Sequence, residues 1–437
     1  MKKVLLRVFA LCSAAWLCVG GAKADVAPVE PSTVDGVYQI GSAAHLVWFS
    51  DYVNAGNNTA QAVLTADINM SEVESFTPIG KTAHSGTYNS NDLAFKGVFD
   101  GQGHTISNLS VSMDATQPWQ AGLFGRITNA TVRNLALQTV SITQTSGTAA
   151  AAGALAGRNG SSTVTNCCAV DVSFTQKKKS SSGSSATSGL VGYMSDAVAS
   201  QMINCYTDYP TLTILGAKAT ITNSYCDVDV ATKAATGELC YLLGAAFRQN
   251  IGEDGYPVLD STHGIVNKIS AAGYATQYIA DTDVEIPAGV KAYTGKVNGD
   301  NLTLTEVADK IPAATAVVLE GAAGYYSFVP TTGAAAVAEN DLKGAATDLA
   351  ADGSQYVLAK KDDVVGFYQA TSGTIAAGKA YLTGISAGVK AVTFGTTTSL
   401  TPALSEERET VIYDLAGRRV EKATKGLYII NGKKVLK

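Results

Sequence analysis

Between Phe95 and Ser224 the chain alternates short runs of Val, Ile and Leu with polar residues, and Gly or Asn breaks the alternation every few positions. A period of two marks strands with one buried face, and the frequent breaks keep them short. The pattern also repeats. Ala121-Gly-Leu-Phe-Gly-Arg126 aligns with Gly153-Ala-Leu-Ala-Gly-Arg158, and Val132-Arg-Asn134-Leu-Ala-Leu137 with Val164-Thr-Asn166-Cys-Cys-Ala169, both at a spacing of 32 (121 to 153, 132 to 164). Val140 and Ile142 fall over Val172 and Phe174 in the same register, and looser copies occur at Ser188–Gly192 with Ile203–Cys205, at Ile106–Leu109 and at Ile221–Ser224. Units of this size cannot bury an apolar face alone, so they stack and share a core. The expected class is all-β, with a right-handed parallel β-helix.

Each column of the repeat has a physical reading. Gly125, Gly157 and Gly192 are expected at turns with positive φ. Asn108, Asn134, Asn166, Asn204 and Asn223 are expected at a second turn, where Asn tolerates the left-handed region and can bond its stacked neighbour. The residues that follow, Leu109, Leu135, Cys167, Cys205 and Ser224, then form an inward column in which the two cysteines act as small hydrophobes. Five cysteines lie beyond residue 24, and they are expected as free buried thiols, with a bond between stacked repeats as the alternative.

Upstream, Ser42 is placed to N-cap a helix with Leu46, Phe49 and Val53 on one face and Gly56 just past its end. Such a helix would cap the stack. Downstream, from Tyr274 to Phe394, turn signals leading into short strands recur at Ile286–Tyr293, Ile311–Val318 and Ile375–Leu382, the mark of a β-sandwich or small barrel. The expected division is a signal peptide at 1–24, the capped β-helix at 25–270, a β-sandwich-like domain at 271–395, a linker at 396–410 and a β tail at 411–437. In the tail Asn431-Gly432 is a two-residue hairpin signal.

Lys2, Lys3 and Arg7 precede an apolar stretch from Val8 to Ala22, and Ala22-Lys23-Ala24 supplies small residues for cleavage, which together read as a secretory signal. The stretch is shorter than the roughly 20 residues that cross a bilayer, and no later segment qualifies, so no transmembrane segment is expected. Of 437 residues 46% are hydrophobic, enough for real cores, and only 16% are charged. The formal charge of -5 excludes a nucleic-acid reader, because the one basic run, Lys177–Lys179, sits inside a serine tract.

Gly122–Gly125 (Gly-Leu-Phe-Gly) and Gly189–Gly192 (Gly-Leu-Val-Gly), each followed by an Asn-centred strand, resemble the GLUG-type repeats of bacterial surface and secreted proteins. Phe95-Lys-Gly-Val-Phe-Asp-Gly-Gln-Gly-His-Thr-Ile106 resembles a first turn of that family and of pectin-lyase-like β-helices, and Phe247–Leu259 is similar to a segment that closes such repeats. Val411–Val420 and Gly426–Lys437 resemble the C-terminal sorting domains of type IX secretion cargo. These resemblances imply a secreted or outer-surface protein whose tail meets the sorting machinery.

Chemistry is harder to find. Asp100 and His104 share a tight turn and read as structural, while Asp171, Asp227 and Asp229 read as solvated. His45 falls on the cap helix, His84 in a loop and His263 after the closing segment, and no pattern joins them. No catalytic, cofactor-binding or metal-binding residue is assigned, and no cofactor is expected. The expected role is a non-enzymatic, adhesin-like protein that recognises a glycan or cell surface, with Trp48, Trp119 and Tyr209 as candidate platforms. The alternatives are a polysaccharide lyase or glycoside hydrolase on the same fold, and a passive stalk.

Overall fold

The computed structural model describes residues 26–81, 93–113, 120–144, 151–176, 186–194, 199–337 and 339–394, with residues 412–413, 419–420, 427–430 and 433–436 of the tail. The signal segment 1–24, His84, Trp119, Lys177–Lys179, the linker 396–410 and the Asn431-Gly432 turn lie outside the described residues.

The chain is mostly β. Strand Thr131–Gln144 pairs in parallel with Thr163–Gln176 along its whole length, with Thr131 opposite Thr163, Leu135 opposite Cys167 and Val140 opposite Val172. The 32-residue register read from the sequence is therefore the pairing register. A second parallel sheet is built from Phe124–Thr128, Ala156–Gly160, Val191–Met194 and Thr213–Ile214, and a third from Gln120–Ala121, Ala151–Ala152 and Ala186–Thr187. Inward residues of successive repeats, among them Phe124, Leu135, Leu155, Val164 and Cys167, are fully buried in one core. At one end of it helix α1, Ala43–Asn54, is capped by the Ser42 side chain, which accepts from the His45 N–H at 3.2 Å. Its buried Phe49 meets Phe95 and Phe99 at 6.2 and 6.1 Å between ring centroids.

The Asn ladder is present, with one member displaced. Asn134, Asn166, Asn204 and Asn223 all have φ near +50° (52, 52, 52 and 44). Asn166 Nδ2 donates to Asn134 Oδ1 at 2.9 Å, Asn204 to Asn166 at 3.2 Å and Asn223 to Asn204 at 3.4 Å, while Asn134 itself donates to Asp100 at 3.0 Å. Asn108 belongs elsewhere. Ser107 pairs with Gln138 and Ser110 with Ser141, so Asn108 falls level with Thr139, and Thr139 and Asp171 continue a second left-handed column at φ 55 and 56. Leu109 accordingly aligns with Val140 and not with Leu135. Asn108 and Asn134 share a local pattern, an aliphatic residue two positions before the Asn and Leu after it, so sequence similarity alone assigned Asn108 to the wrong corner.

The glycine expectation is overturned. Gly125, Gly157 and Gly192 are absent from the positive-φ residues. They are needed because neighbouring backbones crowd them: a Cβ on Gly157 would meet the Ala121 nitrogen and the Ala151 oxygen at 2.6 Å, and one on Gly192 the Ala152 nitrogen and the Gly157 oxygen at 2.6 Å. Four of the five cysteines match the expectation of free buried thiols. Cys167, Cys168, Cys205 and Cys240 are buried free thiols, and Cys226 is half-buried and free.

Two short helices, α2 at Val228–Thr236 and α3 at Glu238–Leu243, interrupt the β pattern without warning from the sequence reading. They share Gly237 at φ 81 and bury Val230, Ala234, Leu239, Cys240 and Leu243 against Cys168, Tyr206 and Phe247. Asp229 therefore lies on a helix, paired with Lys233 at 3.4 Å, and Asp227 precedes it at φ 72.

Beyond Ile265 the β-sandwich expectation changes form. Nine strands from Tyr274 to Phe394 make one sheet, mainly antiparallel, with two buried clusters. Its ends come together, since the Tyr278 N–H in the first strand donates to the Gly378 carbonyl at 2.8 Å and the Ala380 N–H to Thr276 Oγ1 at 3.1 Å. The result is a nearly closed barrel, which frequent turn signals permit as readily as two facing sheets. In the tail Leu427–Ile430 pairs antiparallel with Lys433–Leu436.

Asn166→Ala removes two amide bonds of the ladder and places a Cβ-bearing residue without a polar side chain at φ 52, so urea unfolding should show a loss of about 2–4 kcal/mol. Asn166→Gly, which tolerates that φ, should lose less. Gly157→Ala should destabilise by more than about 2 kcal/mol through backbone overlap, whereas Gly255→Ala, with no atom within 4 Å of its added Cβ, should stay within about 0.5 kcal/mol of the parent.

Candidate functional site

The segment Glu253–His263 stands off the outer face of the first sheet and encloses a cleft of about 900 Å³. Its position follows from packing. Phe247 is buried against Tyr206 with 5.6 Å between ring centroids, Arg248 and Val258 exchange two backbone bonds of 2.8 Å, and buried Gln249 donates to the Ala234 carbonyl at 2.7 Å. The Tyr206 hydroxyl donates to the Pro257 carbonyl, fixing the far side. Opposite, the turn Gly101–His104 is pressed against the segment, and Gly103, at φ 88, leaves no room for a side chain because its Cβ would lie 2.9 Å from the Leu259 oxygen.

The lining is polar and carries both imidazoles that the sequence reading left apart. His104 Nδ1 lies 3.2 Å from Asp67 Oδ1, which also accepts the Thr105 N–H at 2.8 Å. His263 Nδ1 lies 2.8 Å from Asp254 Oδ2, and its Nε2 lies 3.9 Å from Asp260 Oδ2. Gln102, Gln138, Glu253 and half-exposed Tyr256 complete the polar wall. The Thr262 N–H and hydroxyl, helped by His263 and His104, hold the Asp260 carboxyl below the usual carboxylate range against a desolvation that pulls it up. Burial pushes the Cys168 thiol up to about 12, so this floor residue stays protonated and is no nucleophile. Among the described residues no three His, Cys, Asp or Glu side chains are placed to hold a metal ion. The wall offers carboxylate and amide oxygens, amide and imidazole N–H groups and a tyrosine ring, the complement of a polyhydroxylated ligand.

The expectation that the histidines are scattered is thus corrected for His104 and His263. It fails because it took the closing segment as an end-piece, whereas that segment folds back along the stack. Asp67, Asp254, Asp260 and Tyr256 were missed for the same reason. The other candidates lie elsewhere. Asp100 accepts from Arg133 at 2.8 Å, Asn134 at 3.0 Å and the Gln102 N–H at 2.9 Å, a structural role. His45 Nδ1 accepts from the Gly41 N–H at 3.2 Å, and Asp171 accepts from the Thr139 hydroxyl at 2.9 Å. Trp48 is half-buried and stacks on Tyr52 at 4.8 Å, and Tyr209 packs edge-on against Phe174 at 5.1 Å.

No family model matches the chain. A stretch of 126 residues, 29% of the chain, is 35% identical to halomucin of Haloquadratum walsbyi, and spans only 1% of that protein's length. Among solved structures, a Bacteroides ovatus protein provisionally described as an immunoglobulin A1 protease superposes with a TM-score of 0.31 and 13% identity, covering 51% of this chain and 91% of its own. At that level the likeness assigns neither fold nor activity. No helix among the described residues is long and apolar enough to cross a membrane.

Because Asp260 is depressed in the folded state, it contributes stability that is present above its ordinary pKa of about 3.9 and lost as pH falls through the lower folded value. Asp260→Asn should therefore lower the melting temperature at pH 7, and the difference from the parent should shrink as pH falls below about 3.9. Under native conditions iodoacetamide should label Cys226 well ahead of Cys167, Cys168, Cys205 and Cys240, as peptide mapping can show.

Proposed function

We propose that residues 25–270 form a right-handed parallel β-helix of the GLUG-type and pectin-lyase-like kind, followed by a β domain at 271–395, a linker at 396–410 and a sorting tail at 411–437. On this reading the protein is exported to the cell surface, where it binds a glycan without turning it over. The observation that carries the reading is the cleft, whose carboxylates, amides, imidazoles and tyrosine converge on one space of sugar-binding size. The local likeness to halomucin and the apparent signal segment support an exported setting.

In a glycan array backed by calorimetry, Tyr256→Ala and Asp254→Ala should each weaken binding at least about tenfold, while Asp229→Ala on α2 leaves it unchanged. Release of new reducing or unsaturated sugar ends by the parent, abolished in His263→Ala, would replace this reading with that of a glycoside hydrolase or lyase. A chain ending at Thr398 should keep the melting transition of the β-helix and lose its place at the cell surface.

A further inference from the structure

The meeting ends of the curled sheet frame a second cavity, of about 550 Å³. Lys268, Ser270, Tyr274, Thr276, Lys360, Thr374 and Lys379 supply its polar lining. Three of these are lysines and no Asp or Glu joins them, in a chain whose formal charge is -5.

Among the described residues neither Lys379, which is half-buried, nor Lys268, which is exposed, has a carboxylate at ion-pair distance. Lys379 Nζ donates to Asn267 Oδ1 at 3.1 Å and lies 5.9 Å from the Tyr241 ring. Burial alone lowers its pKa. Lys268 Nζ lies 5.2 Å from the Tyr325 ring, which packs on Tyr241 at 5.6 Å. Lys360 pairs with the exposed Asp363 at 2.9 Å, a contact that water or a ligand replaces at little cost. Of the nearby acids, Glu320 is engaged elsewhere, accepting from the Tyr274 and Tyr293 hydroxyls at 3.2 and 2.7 Å, and Glu238, whose charge reaches Lys268, does not line the cavity.

We propose that this seam cavity binds an anionic saccharide, with a carboxylate or sulfate group held between Lys268 and Lys379 and ring hydroxyls met by Ser270 and Thr374. A partly desolvated ammonium without a counter-charge is costly, and an arriving anion offsets that cost. The volume suits a sugar ring and exceeds what a bare anion fills. The site is separate from the cleft between the stack and the closing segment, and the two are tested independently.

Calorimetry on the full chain should compare an oligogalacturonate, a sulfated oligosaccharide, a neutral dextran oligosaccharide and inorganic sulfate. At least one acidic oligosaccharide should bind, with the tighter of the two naming the anionic group, and dextran should not. Lys379→Met and Lys268→Ala should each weaken binding about tenfold or more with an unchanged melting temperature, and Lys379→Arg should keep most of it. Tyr256→Ala in the other cleft should leave this binding intact. No binding of either acidic oligosaccharide at millimolar concentration, unchanged affinity in both lysine variants, equal affinity for inorganic sulfate, or loss in Tyr256→Ala would each overturn the proposal.

Discussion

Parallel pairing in a single register is the constraint on which the first half of this molecule rests. Side chains alternate between the two faces of a strand, so a slip of one residue between Thr131–Gln144 and Thr163–Gln176 would move Leu135, Leu137 and Val140 out of the core and bring Arg133 and Gln138 in. Burial of each large apolar side chain contributes about 1.5–3 kcal/mol, and every repeat would lose several at once. The amide ladder adds a second lock. It links one residue per repeat at a corner that only Asn, Asp or Gly adopts easily, so register is specified by the apolar faces and by the turns together.

The register was legible because it is written twice, in the Gly-Leu-Phe-Gly motif and in the Asn-centred strands. What sequence could not separate was two corners with the same local demand. Asn108 and Asn134 each follow Ile-Ser or Val-Arg and precede Leu, yet pairing puts Asn108 level with Thr139. Gly157 illustrates the converse, since a glycine column can signal positive φ or close backbone approach and only coordinates distinguish them. Helices α2 and α3 were missed because their buried faces, Val230 with Ala234 and Leu239 with Cys240 and Leu243, are two and three residues long and give periodicity too little to work with. The cleft was illegible for a different reason. Its two walls, Asp67 to His104 and Glu253 to His263, are about 150 residues apart in sequence (104 to 253), and nothing local in either announces the other.

The two concave surfaces differ in electrostatic character. Four carboxylates, from Asp67, Glu253, Asp254 and Asp260, crowd the cleft beside the stack, while the cavity at the sheet seam carries lysines alone. Both lie where a structural closure is made, one where the closing segment folds back and the other where the ends of a curled sheet meet. Closure brings together side chains from distant parts of the chain, and it does so at surfaces where no further backbone pairing is required.

The ladder tolerates uneven spacing. Successive bonded asparagines are 32, 38 and 19 residues apart in sequence, yet each donates to the one before it. Chain length is thus decoupled from core geometry: six residues can be added, or thirteen removed, between rungs of the ladder without changing what stacks on what. Surface loops between rungs can therefore grow or shrink at a modest entropic cost while the stacked inner column stays the same.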